Sequence, residues 1–189
     1  MGTKIEWTDE TWNPIKGCTP ISRGCDHCYA MRMAVRLRAM GVRGYEDGFR
    51  PRLLLWKLEE PRKWRKPRMV FCCSMGDVFH EDIPIEHIAR VFDSIRIYDA
   101  HQYQVLTKRP ERISELLDYY RETRRFDLRE SENIWWGVSV ENGDVTYRID
   151  ELKESLEGAQ GVKFISFEPL LEDVGGIVVR WHRLGNSRW

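Results

Sequence analysis

Apolar residues recur along this chain in two alternating rhythms. The first is a set of short, mainly apolar runs: MVFCCS at 69–74, HQYQVLT at 101–107, IWWGVSV at 134–140 and VKFISFE at 162–168. They are rich in β-branched and aromatic residues and too short for helices, so each predicts a strand. The second is a three-to-four-residue spacing between the runs. Ile85, Ile88, Ala89, Phe92 and Ile95 follow Pro84; Ile113, Leu116, Leu117 and Tyr120 follow Pro110; Val145, Ile149, Leu152 and Leu156 fall within about 144–157. These segments predict amphipathic helices, two of them opened by a proline whose missing N–H costs nothing in a first turn. GIVVRW at 176–181 predicts a fifth strand, and two more are expected from IEW or the segment before Cys18 and from LLLW at 53–56.

Strands alternating with helices over short connections predict an α/β protein with mostly parallel strands. The nearly uniform apolarity of the strands predicts that both sheet faces are covered. About six strands are fewer than the eight a closed barrel takes, so an open or partial (βα) barrel is expected, with a doubly wound sheet as the second choice. In either arrangement ligands gather at the carboxyl ends of the strands.

Composition narrows the function classes. The 189 residues suit one domain spanning 1–189, with 42% hydrophobic and 32% charged residues, a soluble globular profile. No apolar run approaches the ~20 residues of a spanning helix, and MGTKIEWTDETWNP lacks the layout of a secretory signal. A cytoplasmic location with no membrane partner is therefore expected. Lys+Arg and Asp+Glu are both 30, which removes global charge as a reason to bind nucleic acid. Residues 32–68 are nonetheless strongly basic, from Arg32, Arg36 and Arg38 to Arg65, Lys66 and Arg68. This stretch is either solvated surface or a rim for a phosphate-bearing partner.

Five cysteines, an odd number unevenly spaced, argue against a disulfide framework. Cys18, Cys25 and Cys28 lie within eleven residues, in a loop at 17–29 made pliable by Gly17, Pro20, Ser22 and Gly24. Three thiolates on such a loop can meet one metal centre. Zinc and iron–sulfur clusters both take thiolates, and zinc would want a fourth ligand, for which His27 or His80 stands nearby in sequence. Glu141 and Asn142 end one predicted strand and Glu168 another, where a carboxylate can bind hydroxyls or pair with an arginine. Lys108 and Arg109 close the QVLTKRP strand, where they either hold a substrate carboxylate or phosphate or sit as surface charge beside a helix. Cys72 and Cys73, adjacent on a strand, are expected to be buried and to face opposite sides. His80 and Glu81 are candidate acid/base groups, and Trp7 and Trp12 are placed to shield the cysteine loop.

The segments IEWTDETWNPIKGCTPISRGCDHCYA (5–30), FCCSMGDVFHEDIP (71–84), QVLTKRPERI (104–113), WWGVSVEN (135–142) and FISFEPLL (164–171) resemble the three-Cys-motif phage protein family, from about residue 3 to about 174. That family is radical S-adenosylmethionine-like, and the resemblance implies a 4Fe-4S cluster on Cys18, Cys25 and Cys28. The six-residue gap between the first two cysteines is this family's variant of the usual three. It further implies S-adenosylmethionine chelated at the open iron, and cleavage of its carbon–sulfur bond to a 5′-deoxyadenosyl radical. The turn Ser74-Met75-Gly76-Asp77 then stands where such enzymes hold the methionine amino group, with Asp77 as its partner or, alternatively, as a helix cap. A companion, the three-Cys-motif partner protein, is also implied. From about residue 175 the chain departs from the family pattern, which suggests a C-terminally shortened member. Two other readings stand beside this one: a non-catalytic zinc- or cluster-binding module, and a nucleic-acid modification or repair protein.

Overall fold

The computed structural model describes residue 3 and residues 5–124 and 126–174. Strands β1 (Glu10–Trp12), β4 (Met69–Cys72), β5 (Gln102–Thr107), β6 (Ile134–Ser139) and β7 (Lys163–Ser166) form a five-stranded sheet in that order, and every adjacent pair is parallel. The short strands β2 (Ile15–Lys16) and β3 (Arg52–Leu53) pair antiparallel beside it. Helices α1 (Tyr29–Ala39), α2 (Ile85–Ile97), α3 (Glu111–Thr123) and α4 (Tyr147–Ser155) lie in the connections. Parallel strands need such crossovers, because a tight turn cannot bring the chain back to start in the same direction.

The strand order of the large sheet follows the chain without reversal. A doubly wound sheet requires a reversal, so that expectation does not describe this sheet. Helix α2 packs on α3, and α3 on α4. The helical stripes read from sequence are the buried ones: Ile88, Ala89, Phe92 and Ile95 on α2, and Ile113, Leu116, Leu117 and Tyr120 on α3. They meet Val70, Tyr103, Val105, Ile134, Trp136 and Val138 of the strands, with Phe92 stacked on Trp136 at 5.3 Å. Each such side chain contributes roughly 1.5–3 kcal/mol by leaving water.

Some elements differ from their sequence patterns. The expected helix over 144–157 divides into a 3-10 turn, Gly143–Val145, and the shorter α4. LLLW contributes only Leu53 to a strand; Leu55–Lys57 is a 3-10 turn with Trp56 exposed. An apolar run without alternation carries no period, so length and context decide its form. The N-terminal strand is Glu10–Trp12 rather than IEW. Helix α1 has no strong stripe and buries only Ala30 and Ala34. The strand expected at 176–181 lies outside the described residues. No helix among the described residues is long and apolar enough to cross a membrane.

Candidate functional site

A cavity of about 470 Å³ opens at the carboxyl edge of the sheet. Small-molecule pockets commonly span roughly 300–1,000 Å³. Its wall includes Cys18, Cys25 and Cys28 from the loop, Cys73, Ser74, Gly76 and Asp77 after β4, Thr107 and Lys108 at the end of β5, Ser139 of β6 and Glu168 after β7. Parallel strands all end on the same side, which is why residues so distant in sequence share one rim. Phe49, Phe71 and Leu106 supply apolar wall. All five cysteines are free thiols. Among the described residues no three His, Cys, Asp or Glu side chains are drawn together as a set that could hold a metal ion as they stand. The three loop thiols share the wall of one cavity instead.

Backbone contact presses the loop onto the strand ends. Gly17 has φ +87° and forms a parallel bridge with Gly76. A Cβ on Gly76 would stand 2.7 Å from the Gly17 carbonyl oxygen. One on Gly17 would lie 2.4 Å from the Arg50 carbonyl oxygen, so neither position tolerates a side chain without displacement. The backbone at Gly76 is thus approached closely by the cysteine loop.

Two polar networks underlie the thiols. In the first, Glu141 is fully buried and accepts hydrogen bonds from Lys108 Nζ at 2.9 Å, from Arg148 Nη1 at 2.9 Å and from Ser22 Oγ of the loop. Burial opposes its charge, but Lys108, Ser22 and Arg148 hold its carboxyl below the ordinary value. Lys108 Nζ also reaches Cys25 Sγ at 3.8 Å. Burial raises the Cys25 thiol, yet backbone hydrogen bonds from Ile21 and Ser22 and the Lys108 charge bring it below its usual value.

In the second network, Arg109 is 3% exposed and donates to Asp77 Oδ2 at 3.2 Å, to Thr19 O at 3.2 Å, to Glu81 and to Cys18 Sγ at 3.5 Å. Burial and the Asp77 charge push the Cys18 thiol up to about 11, against the lowering by Arg109. Burial likewise opposes the Glu81 charge, but Arg109 brings its carboxyl down to about 2.

These contacts reassign several expectations. Asp77 accepts from Thr107 Oγ1 at 2.7 Å, Phe79 N at 3.0 Å, Lys108 N at 3.1 Å and Arg109, so its oxygens are committed to the protein. It lines the cavity as an organiser of the strand-end turns, and no helix begins at it, since α2 starts at Ile85. Arg109 is taken up by Asp77, Glu81 and Cys18 and is not part of the cavity wall, so the expected substrate anchor becomes a clamp on the loop. Lys108 does line the cavity, with Glu141 and Cys25 as its partners. Ser74 donates to Asn13 Oδ1 at 3.2 Å. Glu168 is exposed on the rim beside a cis Pro169.

His80 is buried with both ring nitrogens engaged: Nδ1 accepts from Asp82 N at 3.1 Å, and Nε2 lies 2.9 Å from Thr19 Oγ1, to which the neutral ring can donate. It is thereby removed as a fourth ligand, while His27 remains on the cavity wall. Cys72 and Cys73 do not face opposite sides. β4 ends at Cys72, Cys73 turns to φ +62°, and the two sulfurs stand 3.6 Å apart. Sequence reasoning missed Ser22, Arg148 and the pocket-facing Cys73. No local pattern marks them; Arg148 stands seven residues beyond Glu141, at the second position of α4.

Fold and site together define an α/β protein with a thiol-lined cavity at the carboxyl edge of a parallel sheet. The chain belongs to the family described as "Protein of unknown function (DUF5131)", whose model matches residues 2–184. No curated protein and no solved structure matches it.

Proposed function

We propose that this chain is an iron–sulfur protein in which Cys18, Cys25 and Cys28 hold a 4Fe-4S cluster, and that it works with S-adenosylmethionine on a substrate bound over the strand ends. The observation that carries this reading is the convergence of three loop thiols on one cavity, two of them backed by cations. Thiolates are the donors such clusters take; Lys108 helps to lower the Cys25 thiol, and Arg109 opposes the rise that burial and Asp77 impose on Cys18. The uninterrupted parallel order β1-β4-β5-β6-β7 supports an open (βα) barrel of the radical-enzyme type, with its cofactors at the carboxyl edge. When bound, the cluster and S-adenosylmethionine would supply one-electron chemistry that side chains cannot. The protein's own part is to orient and to exclude water. Phe49, Phe71 and Leu106 give a dry wall, and Ser74, Ser139 and Glu168 offer polar contacts for an adenosyl or amino-acid moiety. Anaerobic reconstitution of the wild type and of Cys18→Ala, Cys25→Ala and Cys28→Ala tests this. Each variant is expected to lose its iron; full iron content in all three would exclude the ligand set. One zinc and no iron in the wild type would instead give a structural metal module, with His27 as the nearest fourth ligand.

A second reading concerns the substrate. Helix α1 leaves the cavity at Tyr29 and carries Arg32, Arg36 and Arg38 with no acid among its eleven residues. No ion pair engages these three arginines among the described residues. Tyr29, Arg32, Met33 and Arg36 line a groove of about 230 Å³ that shares Tyr29 with the main cavity. A basic track with an aromatic ring beside a cavity suits a nucleic-acid strand, through phosphate contact and base stacking. Binding to a single-stranded oligonucleotide should weaken steeply with salt and drop at least tenfold in Arg32→Glu/Arg36→Glu. Salt-independent or absent binding would remove nucleic acid from consideration.

A further inference from the structure

Lys108 and Arg109 are neighbours in the chain, yet each is directed at a different cysteine. Lys108 Nζ lies 3.8 Å from Cys25 Sγ, and Arg109 Nη1 lies 3.5 Å from Cys18 Sγ. Both cations are fixed from behind by carboxylates of other strand ends. Glu141, after β6, holds Lys108 at 2.9 Å, while Asp77, after β4, holds Arg109 at 3.2 Å and Glu81 grips it as well. Pro110 follows immediately and opens α3, so the pair is anchored between a strand and a helix. Glu141 is itself tied to Arg148 and to Ser22 of the loop, which ties the spacing of Lys108 and Cys25 to the fold rather than to a free side chain. Cys28 has no cation within hydrogen-bonding reach among the described residues and instead stands at the N-terminal end of α1.

Resting on the cluster reading above, we propose that Lys108 and Arg109 are positioning residues that each neutralise one thiolate, Lys108 at Cys25 and Arg109 at Cys18. Their charge, moderated by Glu141 and Asp77, sets how easily the bound cluster is reduced. Cations and hydrogen bonds at ligand sulfurs are an established lever on cluster potential, since reduction adds negative charge that a nearby cation stabilises. On this assignment the two residues face the ligands and leave substrate recognition to the rim. It also gives Glu141 a defined sign: its carboxylate opposes reduction, while its hydrogen bonds keep Lys108 in place.

The test is a mediated dithionite titration of the reconstituted protein, following the one-electron couple spectroscopically, with iron content measured in parallel. Lys108→Met is expected to lower the reduced-to-oxidised ratio at a fixed potential about tenfold, which is a fall of 59 mV for one electron. Lys108→Arg restores it to within threefold of the wild type. Glu141→Gln, which keeps hydrogen-bonding capacity but removes the charge, shifts the ratio in the opposite direction. Loss of iron from Lys108→Met alone, reversed in Lys108→Arg, supports the same assignment. A purely structural role cannot produce opposite signs from two members of one ion pair. Unchanged ratios in both neutral variants, or shifts of the same sign, overturn the inference while leaving the cluster standing. A wild-type protein that takes up no iron overturns the cluster reading and this inference with it.

Discussion

The cysteine loop at 17–29 and the strand ends beneath it are built in contrasting ways. The strand ends are dense with buried, hydrogen-bonded groups: Asp77, Thr107, Arg109, Glu141 and Arg148 are each under a tenth exposed and bonded to one another or to backbone, and among their side-chain nitrogens and oxygens only Arg148 Nε is buried without a partner. The loop has three half-exposed thiols, a single 3-10 turn at Arg23–Cys25 and no side-chain cap on that turn. Its order is borrowed through Gly17 on Gly76, Thr19 on His80, Ser22 on Glu141 and the two cations on Cys18 and Cys25. The lesson is a division of labour. The floor fixes the geometry, and the loop carries three thiols held in place by contacts to that floor.

If that division holds, damage to the floor should unfold the protein and damage to the loop should not. The largest effect is expected from Glu141→Ala, which leaves Arg148 and Lys108 facing a buried void. A loss of about 3–5 kcal/mol in urea denaturation is predicted, as for other broken buried ion pairs. Gly17→Ala comes next, because the added Cβ meets the Arg50 carbonyl in a left-handed conformation. It should cost about 1–3 kcal/mol and separate the loop from the floor, read as a fall in bound iron larger than the fall in stability. Ser22→Ala removes one tether to Glu141 and should cost about 1 kcal/mol.

Acidification should weaken the floor in two steps. Burial and the Arg109 charge keep the His80 ring below its usual value, so its contribution is present above about pH 6.5 and is lost as pH falls through the lower folded value. Glu81, near 2 when folded against 4.5 in a model peptide, adds stability above pH 4.5 that fades on the way to pH 2. That second step should be shallow, because the Glu81 side chain is 54% exposed and solvent screens its pairing. His80→Gln should remove the first step from the pH dependence of the denaturation midpoint while leaving the second.

The smallest effect belongs to the loop thiols themselves. Cys18→Ser in the metal-free protein exchanges one partly buried hydrogen-bonding group for another beside Arg109 and should cost about 1 kcal/mol or less. A multi-kcal/mol loss there would end the distinction between floor and loop.

The same contrast explains what was legible in the sequence. The floor's strands and helices announce themselves because burial imposes periods, as at Ile88, Phe92 and Ile95 on α2 or in the IWWGVS strand. Strand-end positions such as Lys108 and Glu141 followed from topology alone, since parallel strands share one carboxyl edge. Their partners did not follow: Ser22 and Glu141 are 119 residues apart, and nothing local predicts that they meet. Helix α1 went unrecognised because it buries only two alanines, which leave little periodic signal among its arginines and methionines. The strand pattern also misplaced Cys73. A one-residue left-handed turn at the strand end brings it to the cavity beside Cys72, and β-alternation cannot foresee such a turn.

If Cys18, Cys25 and Cys28 hold a cluster with an iron open to a second cofactor, the reduced protein should respond magnetically to that cofactor. Electron paramagnetic resonance of the anaerobically reconstituted, reduced protein, recorded with and without S-adenosylmethionine alongside iron and sulfide analysis, tests it most directly. About four irons and four sulfides per chain are expected, with a reduced-cluster signal that shifts when S-adenosylmethionine is added. A protein with one zinc and no iron, or a cluster signal unmoved by S-adenosylmethionine, would contradict it.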